Sequence, residues 1–490
     1  MRGLAARGHQ VTVLSAFGED KPLKNYRHIQ INTGVSIDRK DIMEKFLKEG
    51  WSHLGTLRLM LQSIGRIRYS AHFTLNSPEF RKIASEESFD VVFIEIFFNT
   101  FLVGIADHFK CPVIALFSAP PTVLIEDLTG NPSTVAAIPH ILQGENNDMT
   151  FFSRILNFSY SLIEKMIWKI VDWREKSYYN QNFPQPQYRS FDEMKRNISL
   201  FFVNDHFSST APRPYVPTVI PVGGLYIKSQ PDPLSKDLED FINSADVGII
   251  LFTLGSNMKT SFLPPDMLSN LLKVFSNLKQ RVVLKWEDQV LTNKPDNVMI
   301  KDWLPQSDIL GHDKIKLFIT HGGLGAIHEA QYHGVPIIGI PLWADQKSNL
   351  ARAERQGWAK VINFAEFSSV RLQSAIEEVL QDSRYKNAAK YHSSLNRDRP
   401  LNALDTAIYW TEYVIRHGGA AHLKYLAADL TYFQRTSIDV LVFLVIALVL
   451  LTKLIHTLIL LWSNKKKRRQ QLCFFYFIDP RVLNQLTVRL

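Results

Sequence analysis

FITHGGLGAIHEAQYHGVPIIGIPLWADQ, residues 318–346, is the stretch on which the reading of the whole chain turns. It reads as a short apolar strand, a glycine turn, a helix, a loop, a second apolar strand and an acid–amide pair, Asp345-Gln346. Gly322-Gly323 lets the backbone turn tightly and be approached closely. The helix that follows presents unpaired N–H groups and the positive end of its dipole, a pairing suited to phosphate. His321 stands at the same mouth and offers another donor. Glu329, eight residues after His321 and so two helical turns on, either binds ribose hydroxyls or is a solvated helix carboxylate. Asp345 and Gln346 together supply acceptors and donors, as a polyhydroxyl ring requires, although Asp345 also suits a helix N-cap.

Working outward, the same alternation of apolar strand and amphipathic helix recurs on both sides. The first half carries FDVVFIEIFF (89–98), CPVIALFS (111–118) and NISLFFVN (197–204) as buried parallel strands. The second carries VGIILFTLGS (247–256), RVVLKWED (281–288) and AKVINF (359–364). Between the halves lie the proline-rich APRPYVPTVIPVGGL (211–225) and a charged linker after Pro231. A chain of 490 residues is too long for one ordinary core. The pattern therefore predicts two doubly wound α/β domains, 1–230 and 231–430, with a site in the cleft between them at the strand C-termini. Trp303, in a loop after a short strand, either stacks a planar base or packs in a core. Neither a P-loop nor a G-x-G-x-x-G fingerprint follows a strand, which removes a nicotinamide-dependent oxidoreductase from consideration.

Composition narrows the classes further. The net charge is +9, but KKKRR at 465–469 carries five of those charges, so no nucleic-acid footprint is present. Two cysteines, Cys111 and Cys473, exclude a disulfide framework and a cysteine zinc cluster. The apolar run 438–462 is 25 residues long, enough to cross a bilayer, although Lys453 and His456 interrupt it. The basic cluster beside it places the tail 463–490 in the cytosol and the body across the membrane. Two glycosylation triplets, at Asn157 and Asn197, agree with a lumenal body. The opening MRGLAARGHQVTVLSAFG has no apolar signal region and reads as the first helix and second strand of a 3-2-1-4-5 sheet. The expectation is therefore a further segment ahead of Met1 bearing a signal and the first strand, without which the sheet has a gap. Residues 150–179 form a long aromatic helical region, read as core helix or as a face touching lipid or an apolar acceptor.

DWLPQSDILGH (302–312), together with the opening stretch, resembles the donor-binding signature of the membrane-bound UDP-glycosyltransferases, which include the UDP-glucuronosyltransferases. RGHQVTVL, VGGL, RHGGAAHL and the final anchor with its basic tail extend the resemblance over nearly the whole chain. It implies two facing Rossmann-like domains of GT-B type plus a C-terminal transmembrane helix. It also implies transfer of glucose or glucuronate from a UDP-sugar to the hydroxyl of a small lipophilic acceptor, with inversion and without metal or other cofactor. By motif position, Trp303 would stack uracil and Gln306 would bond the base or ribose. Glu329 would take the ribose hydroxyls, His321, Gly322, Gly323 and Ser256 the diphosphate, and Asp345 with Gln346 the hexose. Lys285 stands where members carry a basic residue near the nucleotide, whereas Gly325 departs from members with Asn or Ser. Glu95 either matches the carboxylate region that orients the catalytic histidine or is a structural hydrogen-bond acceptor or pocket wall; the histidine's loop after the first strand is not in this sequence, and His9 belongs to a different motif. The resemblance also implies a single-pass endoplasmic reticulum glycoprotein with a role in detoxification, open to homo- or hetero-oligomer formation. UDP-glucose is the favoured donor. The alternative is a non-catalytic UDP-sugar-binding partner or an inactive truncated product.

Overall fold

The computed structural model describes residues 1–19, 23–32, 53–143, 149–256, 258–288 and 290–478. They fall into two compact units, Met1–Ala428 and Asp429–Leu490.

In the first unit the chain begins with α1 (Arg2–Ala6), β1 (Val11–Ser15) and β2 (Tyr26–Gln30), the two strands pairing in parallel. After α2 (His53–Asn76) and α3 (Pro78–Glu86) come β3 (Val92–Glu95), α4 (Gly104–Phe109), β4 (Val113–Phe117) and α5 (Val123–Thr129). The long α6 (Phe151–Asn182), α7 (Phe191–Arg196), β5 (Ile198–Val203) and β6 (Val219–Pro221) complete this half. Strands β3-β4-β5-β6 form one parallel sheet, and β1-β2 form a separate one. Alternate residues of the four-stranded sheet feed two cores. Val113, Ala115, Phe201 and Val203 face one side, while Ile114, Leu200 and Phe202 face the other.

The second half runs α8 (Lys236–Asn243), β7 (Ile249–Thr253), α9 (Pro265–Ser276), β8 (Arg281–Lys285), β9 (Val298–Lys301) and α10 (Gln306–Leu310). It continues with β10 (Ile315–Thr320), α11 (Leu324–His333), β11 (Ile337–Gly339), α12 (Gln346–Arg355), β12 (Ala359–Val361), α13 (Ser369–Gln381) and α14 (Ser383–Arg397). Its six strands are all parallel in the order β12-β11-β10-β7-β8-β9. Taken from β9, that is 3-2-1-4-5-6, so the strand order reverses between β7 and β10, where ligands of such sheets bind. β7 is buried along its whole length, which explains why ILFT reads as an unbroken apolar run.

The sequence division at residue 230 describes the strands, but the last helix of the unit crosses back. Helix α15 (Ala403–His417) packs Ala407 and Val414 onto the Ile114–Leu200–Phe202 face of the first sheet. Arg7 and His9 of the first half also reach Glu412 on this helix, at 2.9 and 3.3 Å. The reason is burial: the first sheet has two apolar faces, and α15 covers the one that the first half leaves open.

In the second unit, the short α16 (Tyr432–Arg435) precedes α17 (Ile438–Ile478). Residues 438–474 of α17 form a helix long and apolar enough to cross a membrane.

Candidate functional site

The loops after β7 and β10 meet at the sheet's switch point. Gly255, at φ +81°, ends the β7 turn, and His321 begins the β10 turn. A Cβ on Gly255 would lie 2.6 Å from His321 Cε1, and one on Gly323 would lie 2.6 Å from His321 Nε2. The imidazole is thus held between two backbones that only glycine lets approach. Burial, and then the nearby Lys285, lower its pKa to about 4, so it is neutral at pH 7, with one ring N–H and one bare ring nitrogen. Helix α11 starts on Gly323, with no side chain capping its first-turn amides. These amides, the imidazole and the exposed Ser256 line one mouth.

Lys285 ends β8 and is buried beside this mouth. Its ammonium donates to the Gly255 carbonyl at 2.7 Å and pairs with Glu287 at 3.1 Å. It also lies 5.5 Å from the centre of the Trp303 ring. Trp303 is 69% exposed, so its core reading does not apply and a ring face is open for stacking.

The Gln306 side-chain amide donates to the Glu329 carboxylate, joining the N-terminus of α10 to the buried side of α11. The solvated reading of Glu329 fails, because the residue is buried. Burial pushes its pKa up to about 7, with Asp308 adding to the rise and the Gln306 bond opposing it.

Asp345 precedes α12 in helical rather than capping geometry, and it makes no side-chain cap. Asn349, one turn on, donates to both Asp345 Oδ2 at 2.8 Å and the Gly322 carbonyl at 3.1 Å. Burial raises the Asp345 pKa, opposed by the Asn349 bond. Gln346 is buried, and its Oε1 accepts the backbone N–H groups of Leu342 and Trp343 at 2.8 and 3.0 Å. That carbonyl therefore shapes the loop before α12.

Contacts thus link Trp303, Lys285, Gly255, His321 and Gly323 on one side, and Gly322, Asn349 and Asp345 on the other. Glu95 lies outside both sets, exposed at the C-terminal end of β3 in the other sheet. Sequence reasoning passed over three residues. Asn349 sits one helical turn past Asp345, a spacing that was available to it. Glu287 balances Lys285 from two residues away. Tyr226, in the turn after β6, donates to the Gly325 carbonyl at 2.9 Å across 99 residues of sequence. A Cβ at Gly325 would lie 3.2 Å from that hydroxyl, so the tyrosine occupies the space where an Asn or Ser side chain would begin.

The two halves touch beside the site. Gln331 of α11 donates to the Ser208 carbonyl at 2.8 Å and accepts from Ser209, and Ser348 donates to the Ile141 carbonyl at 2.9 Å. Of the two glycosylation triplets, only Asn197 is exposed. Asn157 is fully buried, donates to the carbonyls of Val135 and Ile138, and accepts from the His140 N–H, so the folded protein withholds it.

A four-stranded and a six-stranded parallel sheet, the latter in Rossmann order, give the chain a GT-B architecture. The solved structure of the kitacinnamycin glycotransferase has this fold, with a TM-score of 0.52 at 16% identity, over 84% of this chain and 93% of that one. A family model described as UDP-glucoronosyl and UDP-glucosyl transferase matches residues 1–470. UDP-glucosyltransferase 2 of Dactylopius coccus is 34% identical over 456 residues, covering 91% of this chain and 86% of that protein. Human UDP-glucuronosyltransferase 2B7 is 31% identical over 467 residues, covering 90% and 86%. The chain belongs to the UDP-glucuronosyl and UDP-glucosyl transferase family, and its general activity is sugar transfer from a UDP-sugar.

Proposed function

We propose that this protein transfers glucose from UDP-glucose to the hydroxyl of a small lipophilic acceptor, inverting the anomeric carbon in one displacement. The observation that carries the donor half of this reading is the pair of linked clusters at the switch point. Trp303 stacks the uracil, with Lys285 beneath the ring, and Gln306 bonds the base or ribose. Glu329 takes the ribose hydroxyls. The α11 amides, Gly322, Gly323, His321 and Ser256 hold the diphosphate, and Asp345 with the Gln346 amide holds the hexose. The acceptor oxygen forms a bond to the anomeric carbon as the bond from that carbon to the diphosphate oxygen breaks. The electron pair leaves on UDP, where fixed N–H donors stabilise the growing charge. The acceptor proton passes to a base on the first-half side, with Glu95 as the carboxylate of that side.

One point supports glucose over glucuronate. Asp345 is a carboxylate whose bonded partner is the neutral Asn349, and a donor carboxylate beside it would meet like charge. The residues before α17 lie in the lumen of the endoplasmic reticulum, with α17 as the single span and the basic tail in the cytosol.

The test is transfer of labelled sugar by full-length protein in microsomes, with UDP-glucose and UDP-glucuronate competing for a panel of phenols. Preferential glucosylation is expected. Preferential glucuronidation would replace the donor assignment. UDP binding without transfer from either donor would favour a non-catalytic UDP-sugar-binding protein.

A further inference from the structure

Two ionisable side chains, Lys453 and His456, break the apolar surface of α17. Residues 438–462 together rise about 37 Å along the helix, enough to cross a hydrocarbon layer of about 30 Å with some tilt. Trp462 then stands at one interface, with the basic cluster 465–469 beyond it. Ending the span at Lys453 instead leaves 440–452, a rise of about 20 Å, which is short of that layer. It also puts Leu454, Ile455, Leu458, Ile459, Leu460 and Leu461 in water, all of them exposed on the helix surface. Lys453 is therefore inside the hydrocarbon. Trp462 lies about 13 Å further along the axis, and the four-carbon lysine stem covers about half of that, so snorkelling does not bring the ammonium out.

Positions 453, 456 and 457 fall on one face of the helix, at the i, i+3, i+4 spacing. Thr457 is satisfied within the helix, its hydroxyl donating to the Lys453 carbonyl at 2.9 Å. The ammonium and the imidazole are without a partner among the described residues. The one carboxylate of α17, Asp439, lies in its first turn, about 21 Å away along the axis. An intramembrane lysine is costly alone, and such residues pair with a group of opposite charge. A second copy of this chain does not supply one. It enters the bilayer in the same direction, so its own Lys453 arrives at the same depth and meets this one with like charge. No second membrane-length helix occurs among the described residues. The complement must come from another protein.

We propose that the Lys453–His456–Thr457 face of α17 docks a transmembrane helix of another protein that carries an aspartate or glutamate at the depth of Lys453. The carboxylate accepts from the Lys453 ammonium and from a ring N–H of His456. The proposal rests on the reading of α17 as a membrane span. The experiment uses the full chain with Cys111→Ser, reconstituted in phosphatidylcholine vesicles with a fluorescent donor on the exposed Cys473. The probe is a synthetic polyleucine transmembrane helix bearing an acceptor dye and one central glutamate, compared with the same helix bearing glutamine. Energy transfer should reach half-saturation at about tenfold less glutamate helix than glutamine helix. Lys453→Met should remove that preference, and Lys453→Arg should keep it. Equal titrations by the two helices, or a preference that survives Lys453→Met, overturn the proposal. Depth is read separately from bimane at Phe443→Cys or Leu454→Cys, in a chain also carrying Cys473→Ser, by quenching from brominated acyl chains. Quenching at Phe443 with none at Leu454 puts Lys453 at the membrane surface and overturns the proposal while the span stands. No quenching at either site overturns the span reading and the proposal with it. Energy transfer between copies of the chain that the glutamate helix displaces assigns the face to a second copy, which also overturns it.

Discussion

The Glu329 carboxylate is buried against the Gln306 amide, and its pKa of about 7 couples two properties to pH in opposite directions. Burial favours the protonated form in the ligand-free fold. Its contribution to stability is therefore present below the unfolded value near 4.5 and is lost as pH rises through about 7. Ribose hydroxyls donate best to the ionised form, so donor binding should strengthen over the same rise. The expected result is a KM for UDP-sugar that falls as pH goes from 6 to 8, and a Glu329→Gln variant with weaker binding and no such slope. A wild-type KM flat across this window would remove the ribose assignment. His321, with its pKa held down at about 4, is neutral throughout that window and adds no slope of its own. At Asn197 the expectation is one glycan. Peptide N-glycosidase should shift the wild-type band by a single glycan, and Asn197→Gln should abolish the shift, because Asn157 is buried and fully bonded. A second glycan would overturn the placement of Asn157.

At the scale of elements, α15 is the piece whose role the sequence does not announce. Its amphipathic spacing predicts a helix with a buried face, but not which sheet it covers. The partners Ile114, Leu200 and Phe202 lie more than two hundred residues upstream. Val414 is fully buried in that contact. Val414→Ala should cost about 2 kcal/mol and lower the melting temperature with little change in KM for the donor. An unaltered melting temperature would mean that α15 does not hold the first sheet. Local elements were legible for the converse reason. Strand, glycine turn and helix at 315–333 lie within one stretch, so their order was readable from spacing alone. Tyr226 escaped because its partner Gly325 is 99 residues away. The glycosylation triplet at Asn157 misled because the pattern specifies three residues and not the three backbone groups that enclose the amide.

For the molecule as a whole, two parallel sheets were readable from unbroken apolar runs bounded by glycine and proline, since strands buried on both faces cannot alternate. The separation of β1-β2 from β3-β4-β5-β6 is a matter of ladder partners, which the sequence expresses only through the order of elements. What the division at residue 230 could not convey is that the chain passes between the halves twice. It goes out through the segment between β6 and α8, and it returns between α14 and α15. Two covalent crossings tie the halves at two places along the chain rather than one. Deleting α15 would therefore remove both the second crossing and the cover of one apolar face of the first sheet.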